Sequence, residues 1–179
     1  MIGCPKWGAK PPKAPPVVIG RSHRIIFHHT AGHGINFPPP KDREEAIAYA
    51  KAIQNQHMGQ GWNDSGHNFL VMRSGIIIQG RWLTISAIQA GQMVVSAHCR
   101  GQNDQIGIEH EHQGTEEMTT RQRASSARLQ AWIADQYGLK RVLPVDAHSK
   151  HFATACPANL AADIGSIRRL AQLILDDEA

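Results

Sequence analysis

The sequence predicts a single α/β domain in which one central mixed β-sheet is flanked by helices. Three observations carry that expectation. Short strand-like runs alternate with helix-length segments and no internal repeat is present, which is the pattern of layered α/β folds. The 179 residues fit one domain, 1–179, long enough to bury a core without disulfide support. Apolar residues (41%) and charged residues (19%) are mixed through every long stretch, which excludes a mainly disordered chain.

Taken in order, residues 1–20 are rich in Pro, Gly and Lys and read as an extended arm without helix. Arg24 to His29 is a short buried-strand candidate that ends at the turn Thr30-Ala31-Gly32. Pro38-Pro39-Pro40 forbids helix, and Asp42 then caps a helix over about 43–57. Gly59 to Gly66 is loop-like. His67 to Met72 and Ile76 to Gly80 read as a hairpin joined by the turn Arg73-Ser74-Gly75. Residues 82–104 show no period, and Ile106 to Glu111 alternates like another strand. Thr119-Thr120-Arg121-Gln122 resembles a capping box for a helix that Gly138 stops, with Ala127, Leu129, Trp132, Ile133 and Tyr137 along one face. A last helix is expected over about 159–175, starting at Asn159 beyond Pro157.

The longest apolar runs, Ile76-Ile77-Ile78 and Leu173-Ile174-Leu175, are far too short to cross a bilayer, so no membrane insertion is expected. The first residues offer Lys, Pro and Gly where a secretory signal needs an apolar stretch, so the chain as given is expected in the cytoplasm until something else releases it. The net charge of +4 favours polyanionic partners in general: nucleic acid, anionic lipid surfaces or cell-wall polymers. No Lys/Arg run or aromatic-basic interleaving is present, so nucleic acid is not the expected partner. Cys4, Cys99 and Cys156 are odd in number and lack CxxC spacing, which argues against a disulfide framework. Eleven histidines are many for this length and direct the search to a metal or acid-base site.

Two segments hold the chemistry. In Ala147 to Pro157, His148 and Cys156 stand eight apart in a polar loop. Imidazole and thiolate are preferred zinc ligands, and a catalytic zinc site needs three protein ligands with one position left for water. A cysteine before proline is, taken alone, an ordinary small buried residue. In Phe27-His28-His29-Thr30, adjacent strand residues point to opposite faces, so only one of the two histidines can face a given site.

Together these segments resemble the type 2 N-acetylmuramoyl-L-alanine amidase family, which includes peptidoglycan recognition proteins and small phage amidases. The resemblance covers nearly the whole chain, through six motifs in order. Trp7-Gly8-Ala9-Lys10-Pro11-Pro12 is similar to the family's WGA-R-PP opening, and His28-His29-Thr30-Ala31 to its HHTA strand end. Ser65 to Val71, Gly80-Arg81, and Asn103 with Ile106-Gly107-Ile108-Glu109 resemble its G-Y-N-F-L, GR and N…IGIE elements. His148 to Pro157 resembles its H…TACP loop.

The resemblance implies Zn2+ on His28, His148 and Cys156, with His29 turned away. It implies hydrolysis of the amide between the lactyl group of muramic acid and L-alanine in peptidoglycan. Glu109, His67 and Thr154 are the implied catalytic candidates: Glu109 as proton acceptor, His67 as proton carrier where many members have Tyr, and Thr154 as a donor near the oxyanion. His98 and Asn103 are candidates for substrate contact. His110, His112 and His151 are expected at the surface, and Cys4 and Cys99 receive no role. The setting expected is a monomeric phage or prophage endolysin. The rivals are a cytoplasmic anhydromuropeptide recycling amidase, suggested by His67 and Glu109, and a non-catalytic peptidoglycan receptor, which retention of Cys156 disfavours.

Overall fold

The computed structural model describes residues 1–31 and 42–177. Pro38-Pro39-Pro40 lies outside the described residues.

The strands are β1 (Val18–Gly20), β2 (Ile25–His29), β3 (Phe69–Val71), β4 (Ile77–Gln79), β5 (Gln92–Val94), β6 (Ile106–His110) and β7 (Val145–Ala147). The helices are α1 (Cys4–Trp7), α2 (Arg43–Gly59), α3 (Thr84–Gln89), α4 (Thr120–Gln136) and α5 (Ile164–Asp177). Five strands form the central sheet in the order β4-β3-β6-β2-β7. β3, β6, β2 and β7 are parallel, and β4 closes one edge antiparallel to β3. The sheet is mixed and flanked by helices, as the sequence predicts.

Strand alternation divides the core. Ile25 and Phe27 of β2, Phe69 and Val71 of β3, and Ile106 and Ile108 of β6 face one side, where they pack with Leu129, Ile133, Ile167 and Leu175 of α4 and α5. Leu70, Met72 and Ile78 face the other side, where they meet Trp7 and the Ala46, Tyr49, Ala50 and Ile53 stripe of α2. That second layer covers β3 and β4. On the same face, β6 and β2 present Gly107, Glu109 and His28, and this is where the candidate site is built.

Two caps form as the sequence predicts, one with a difference. The Asp42 carboxylate accepts the Glu45 N–H at 2.9 Å, and the Thr119 hydroxyl oxygen accepts the Gln122 N–H at 3.0 Å. The second half of the box is absent: Gln122 instead donates from its amide to the Val71 and Glu111 carbonyls, tying α4 to the sheet.

Several expectations are corrected. The N-terminal arm holds a helical turn, because Pro5 is tolerated in a first turn and Trp7 is anchored by its indole N–H on the Gln79 carbonyl at 2.9 Å. Val18–Gly20 pairs with Gln92–Val94, so the aperiodic stretch 82–104 contains both a helix and a strand. The last helix begins as a 3-10 segment, Ala158–Asp163, before α5. His110 and His112 are buried, because α4 and the Ala158–Asp163 segment cover the face they occupy. His110 bonds the Ser126 hydroxyl at 3.0 Å and His112 the Asn159 side chain at 2.7 Å. His151 is partly buried and contacts the Asp146 carboxylate at 3.0 Å.

Candidate metal centre

His28 stands beside Glu109 in the parallel register of β2 and β6, so strand alternation sends both side chains to the face that α2 leaves open. β7 runs directly into His148, and the loop that follows brings back Cys156. The ligand atoms of His28, His148 and Cys156 lie within 4.8 Å of one another. His28 Nδ1 is 3.7 Å from Cys156 Sγ, and the His28 and His148 ring centroids are 4.4 Å apart. Two N donors and one S donor are the set that zinc favours.

A chain of hydrogen bonds fixes which nitrogen of His28 faces the sulfur. The Gln105 carbonyl, only an acceptor, lies 3.1 Å from His98 Nε2, so that nitrogen carries the proton of a neutral imidazole. His98 Nδ1 is then an acceptor, and at 2.8 Å it takes the proton of His28 Nε2. His28 Nδ1 is left with its lone pair directed toward Cys156. Burial, reinforced by neighbouring imidazoles, holds His28 well below the ordinary histidine range, and burial lowers His98 to about 4. Both rings are therefore neutral at pH 7.

His148 Nδ1 is buried without a hydrogen-bond partner, and burial also lowers the pKa of this ring. Such an atom costs stability unless something occupies its lone pair. Burial pushes the Cys156 thiol up to about 12 in the metal-free protein, against the lowering effect of the His29 N–H that points at Sγ from 3.4 Å. A cation here displaces that proton and is charge-matched by the thiolate. The donor set, the orphaned nitrogen and the fixed tautomer fit a zinc ion.

A cavity of about 250 Å³ opens over these residues and is also bordered by Glu109, His67, His98 and Thr154. His67 Nδ1 lies 3.0 Å from the Glu109 carboxylate, both side chains being buried. The Thr154 hydroxyl oxygen accepts the Cys156 N–H at 3.2 Å, which leaves its proton available as a donor. His98 borders the cavity and also braces His28, so it acts through that ring. Asn103 does not border the cavity. Its side chain accepts the Cys99 N–H at 3.0 Å and its carbonyl the Ser96 N–H at 2.9 Å, so it closes the 99–103 turn. His29 borders the cavity, yet it is not among the three grouped donors.

His57, Gln60 and Trp62 also line the cavity and were not anticipated. His57 stacks on Trp62 with ring centroids 4.6 Å apart. His57, His67 and Glu109 group their donor atoms within 4.8 Å, a second arrangement of metal-ligand type. Its tautomer argues against a metal. Gly66 N–H donates to His57 Nδ1 at 3.0 Å, so the neutral ring keeps its proton on Nε2 and has no second lone pair to offer. This cluster is a hydrogen-bonding one. No sequence spacing flags His57, because the end of α2 meets β6 only in the folded chain.

A fold of this topology with a His-His-Cys group beside a buried carboxylate defines the class. The chain belongs to the type 2 N-acetylmuramoyl-L-alanine amidase family, whose model, described as N-acetylmuramoyl-L-alanine amidase, matches residues 20–159. Among curated relatives, peptidoglycan recognition protein 1 of Bos indicus is 33% identical over 84 residues, covering 46% of this chain and 42% of the relative. The N-acetylmuramoyl-L-alanine amidase of Homo sapiens is 30% identical over 111 residues, covering 58% of this chain and 17% of the relative. The aligned region thus spans less than half the length of either. Among solved structures, wild-type Drosophila PGRP-LB superposes with a TM-score of 0.78 at 24% identity over 92% of each chain, and a variant of it has been solved in complex with tracheal cytotoxin.

Proposed function

We propose that this chain is a zinc-dependent amidase that hydrolyses the bond between the muramic acid lactyl group and L-alanine of peptidoglycan. The observation that carries the reading is the convergence of His28 Nδ1, a ring nitrogen of His148 and Cys156 Sγ beside a buried Glu109–His67 pair. Zinc, when bound, polarises the scissile carbonyl and lowers the pKa of water to near neutrality.

The protein's own groups supply the rest. The Glu109 carboxylate, held by His67 Nδ1, takes the proton released as water attacks. Glu109 returns that proton through His67 to the departing L-alanine nitrogen, which cannot leave as an anion. The Thr154 hydroxyl, its oxygen already engaged by the Cys156 N–H, donates to the oxygen that gains charge. The cavity suits one linkage with its flanking atoms, and the ring pair His57–Trp62 gives it a flat wall.

We assign the chain to a phage or prophage endolysin acting as a monomer on the wall after release from the producing cell. The positive net charge supports docking on an anionic wall. A second reading, a recycling amidase for soluble anhydromuropeptides, is favoured by the Glu109–His67 pair. Purified sacculi, with and without chelator, test the proposal. The expected result is clearing with new L-alanine amino termini, lost on chelation and restored by zinc. New reducing sugar ends instead would mark a glycosidase and overturn it. Intact sacculi hydrolysed faster than soluble anhydromuropeptides favour the endolysin, and the reverse favours the recycling enzyme.

A further inference from the structure

A second hollow, about 650 Å³ and larger than the amidase cavity, lies away from this chemistry. It lies between the segment 141–144, which leads into β7, and the outer face of α5. Pro144 is separated from His148 by the three residues of β7, about 13 Å of extended chain. Size therefore does not select the amidase site, and the hollow needs its own explanation.

Its walls are cationic. Gly165, Arg168, Arg169 and Gln172 recur at the spacing of one helical stripe, and Arg141 faces them from the other wall, with Val142, Leu143 and Pro144 as the apolar floor. Gln172 fixes the distance between the walls: its side-chain oxygen accepts the Val142 N–H at 3.0 Å and its amide donates to the Lys140 carbonyl at 3.2 Å. Arg141, Arg168 and Arg169 have no carboxylate partner among the described residues. The Asp176 carboxylate accepts the Gln172 amide at 2.7 Å and lines a smaller adjoining hollow with Arg141, not the larger trough itself. Three guanidiniums around one trough, none of them in an ion pair among the described residues, match a linear ligand with repeated phosphates.

We propose that this cleft binds a poly(alditol phosphate) chain of the bacterial wall and so holds the domain on its insoluble substrate from a point remote from the amidase cavity. The choice of a wall polymer rests on the peptidoglycan reading above. Nucleic acid and anionic lipid share the charge but are disfavoured here. The trough is short and lacks stacking aromatics, and α5 ends in Asp176 and Asp177, which an anionic bilayer would repel.

The test compares wild type with the triple variant Arg141→Gln, Arg168→Gln, Arg169→Gln. The three residues are exposed, so folding is expected to be unchanged, and the thermal midpoint checks this. Binding is titrated directly with purified poly(glycerol phosphate) over a range of salt, with single-stranded DNA and anionic vesicles as parallel probes. The expected result is at least a ten-fold loss of polymer affinity at ~0.1 M salt, and a log K against log salt slope shallower by about 2. Hydrolysis of a soluble muropeptide is expected to be unaffected. Unchanged polymer affinity in the variant, or wild-type binding to DNA or vesicles tighter than to the polymer, overturns the proposal. If wild type binds the polymer through these arginines but releases no L-alanine amino termini from any substrate, the amidase reading fails and the cleft assignment stands.

Discussion

His28 and His98 are joined by a 2.8 Å hydrogen bond from His28 Nε2 to His98 Nδ1, and the direction of that bond is set by a carbonyl outside the site. The Gln105 C=O fixes the proton of His98, His98 fixes the proton of His28, and the lone pair of His28 Nδ1 is thereby presented to Cys156. A partner that holds the far nitrogen of a ligand imidazole sets its tautomer, orientation and basicity. His98→Ala is expected to weaken zinc binding by about 10–100-fold, with partial recovery in His98→Gln, whose carbonyl can accept the same proton. A chelator-competition titration reads this directly. Equal affinity in wild type and His98→Ala would remove the role assigned to His98.

Gly107 is what lets His98 reach its position. A Cβ at residue 107 would fall 2.5 Å from His98 Cδ2 and 2.6 Å from Cγ, so the ring would have to move. Gly107→Ala is expected to cost about 1–3 kcal/mol in stability and to lower zinc affinity as His98→Ala does. Gly114→Ala, where nothing lies within 4 Å, serves as the control and should change neither. Denaturant melts with and without zinc report both quantities.

Glu109 and His67 carry the proton work in the proposed reaction. Glu109→Gln is expected to lower kcat by about 10²–10⁴-fold while zinc still binds with near-normal affinity. Zinc loss in step with activity would mean that Glu109 serves the metal site and not the proton.

Away from the site, Glu111 gives a pH-dependent stability. Burial raises its carboxyl to about 7, offset only in part by the Arg73 backbone N–H and guanidinium. The folded protein therefore holds this proton more tightly than the unfolded chain does. Its contribution is fully present below the ordinary value of 4.5 and is lost as pH rises through about 7. Glu111→Gln keeps an acceptor for Arg73 without the charge. The variant is expected to gain on wild type between pH 5 and 8, by roughly 3 kcal/mol at most. Urea unfolding at those two pH values tests it; a constant difference would contradict it.

The fold was largely legible because its strands are short apolar runs between turn residues and its long helices announce their caps, as at Asp42 and Thr119. What escaped depends on partners distant in sequence. The turn at Cys4–Trp7 is held by the Gln79 carbonyl, and Val18–Gly20 is a strand only because Gln92–Val94 lies beside it. In the site, motifs placed His28, His148 and Cys156 together, along with Glu109, His67 and Thr154. They could not show that His98 bonds a ligand, that Asn103 closes a turn, or that His57 joins from the end of α2. His98 is fixed by a tertiary hydrogen bond, His57 by where the fold brings the end of α2, and Asn103 by local turn bonds, and none of these leaves a period in the sequence. His110 and His112 were expected at the surface because alternation gives the face of a residue and not what covers that face.

The central claim is that one sulfur and two imidazoles of this chain hold zinc. X-ray absorption at the zinc edge of the reconstituted protein tests it most directly. The expected spectrum has one sulfur at about 2.3 Å and three nitrogen or oxygen atoms at about 2.0–2.1 Å, with the sulfur shell lost in Cys156→Ser. A shell of nitrogen and oxygen alone in the wild type, or a sulfur shell that survives Cys156→Ser, would contradict it.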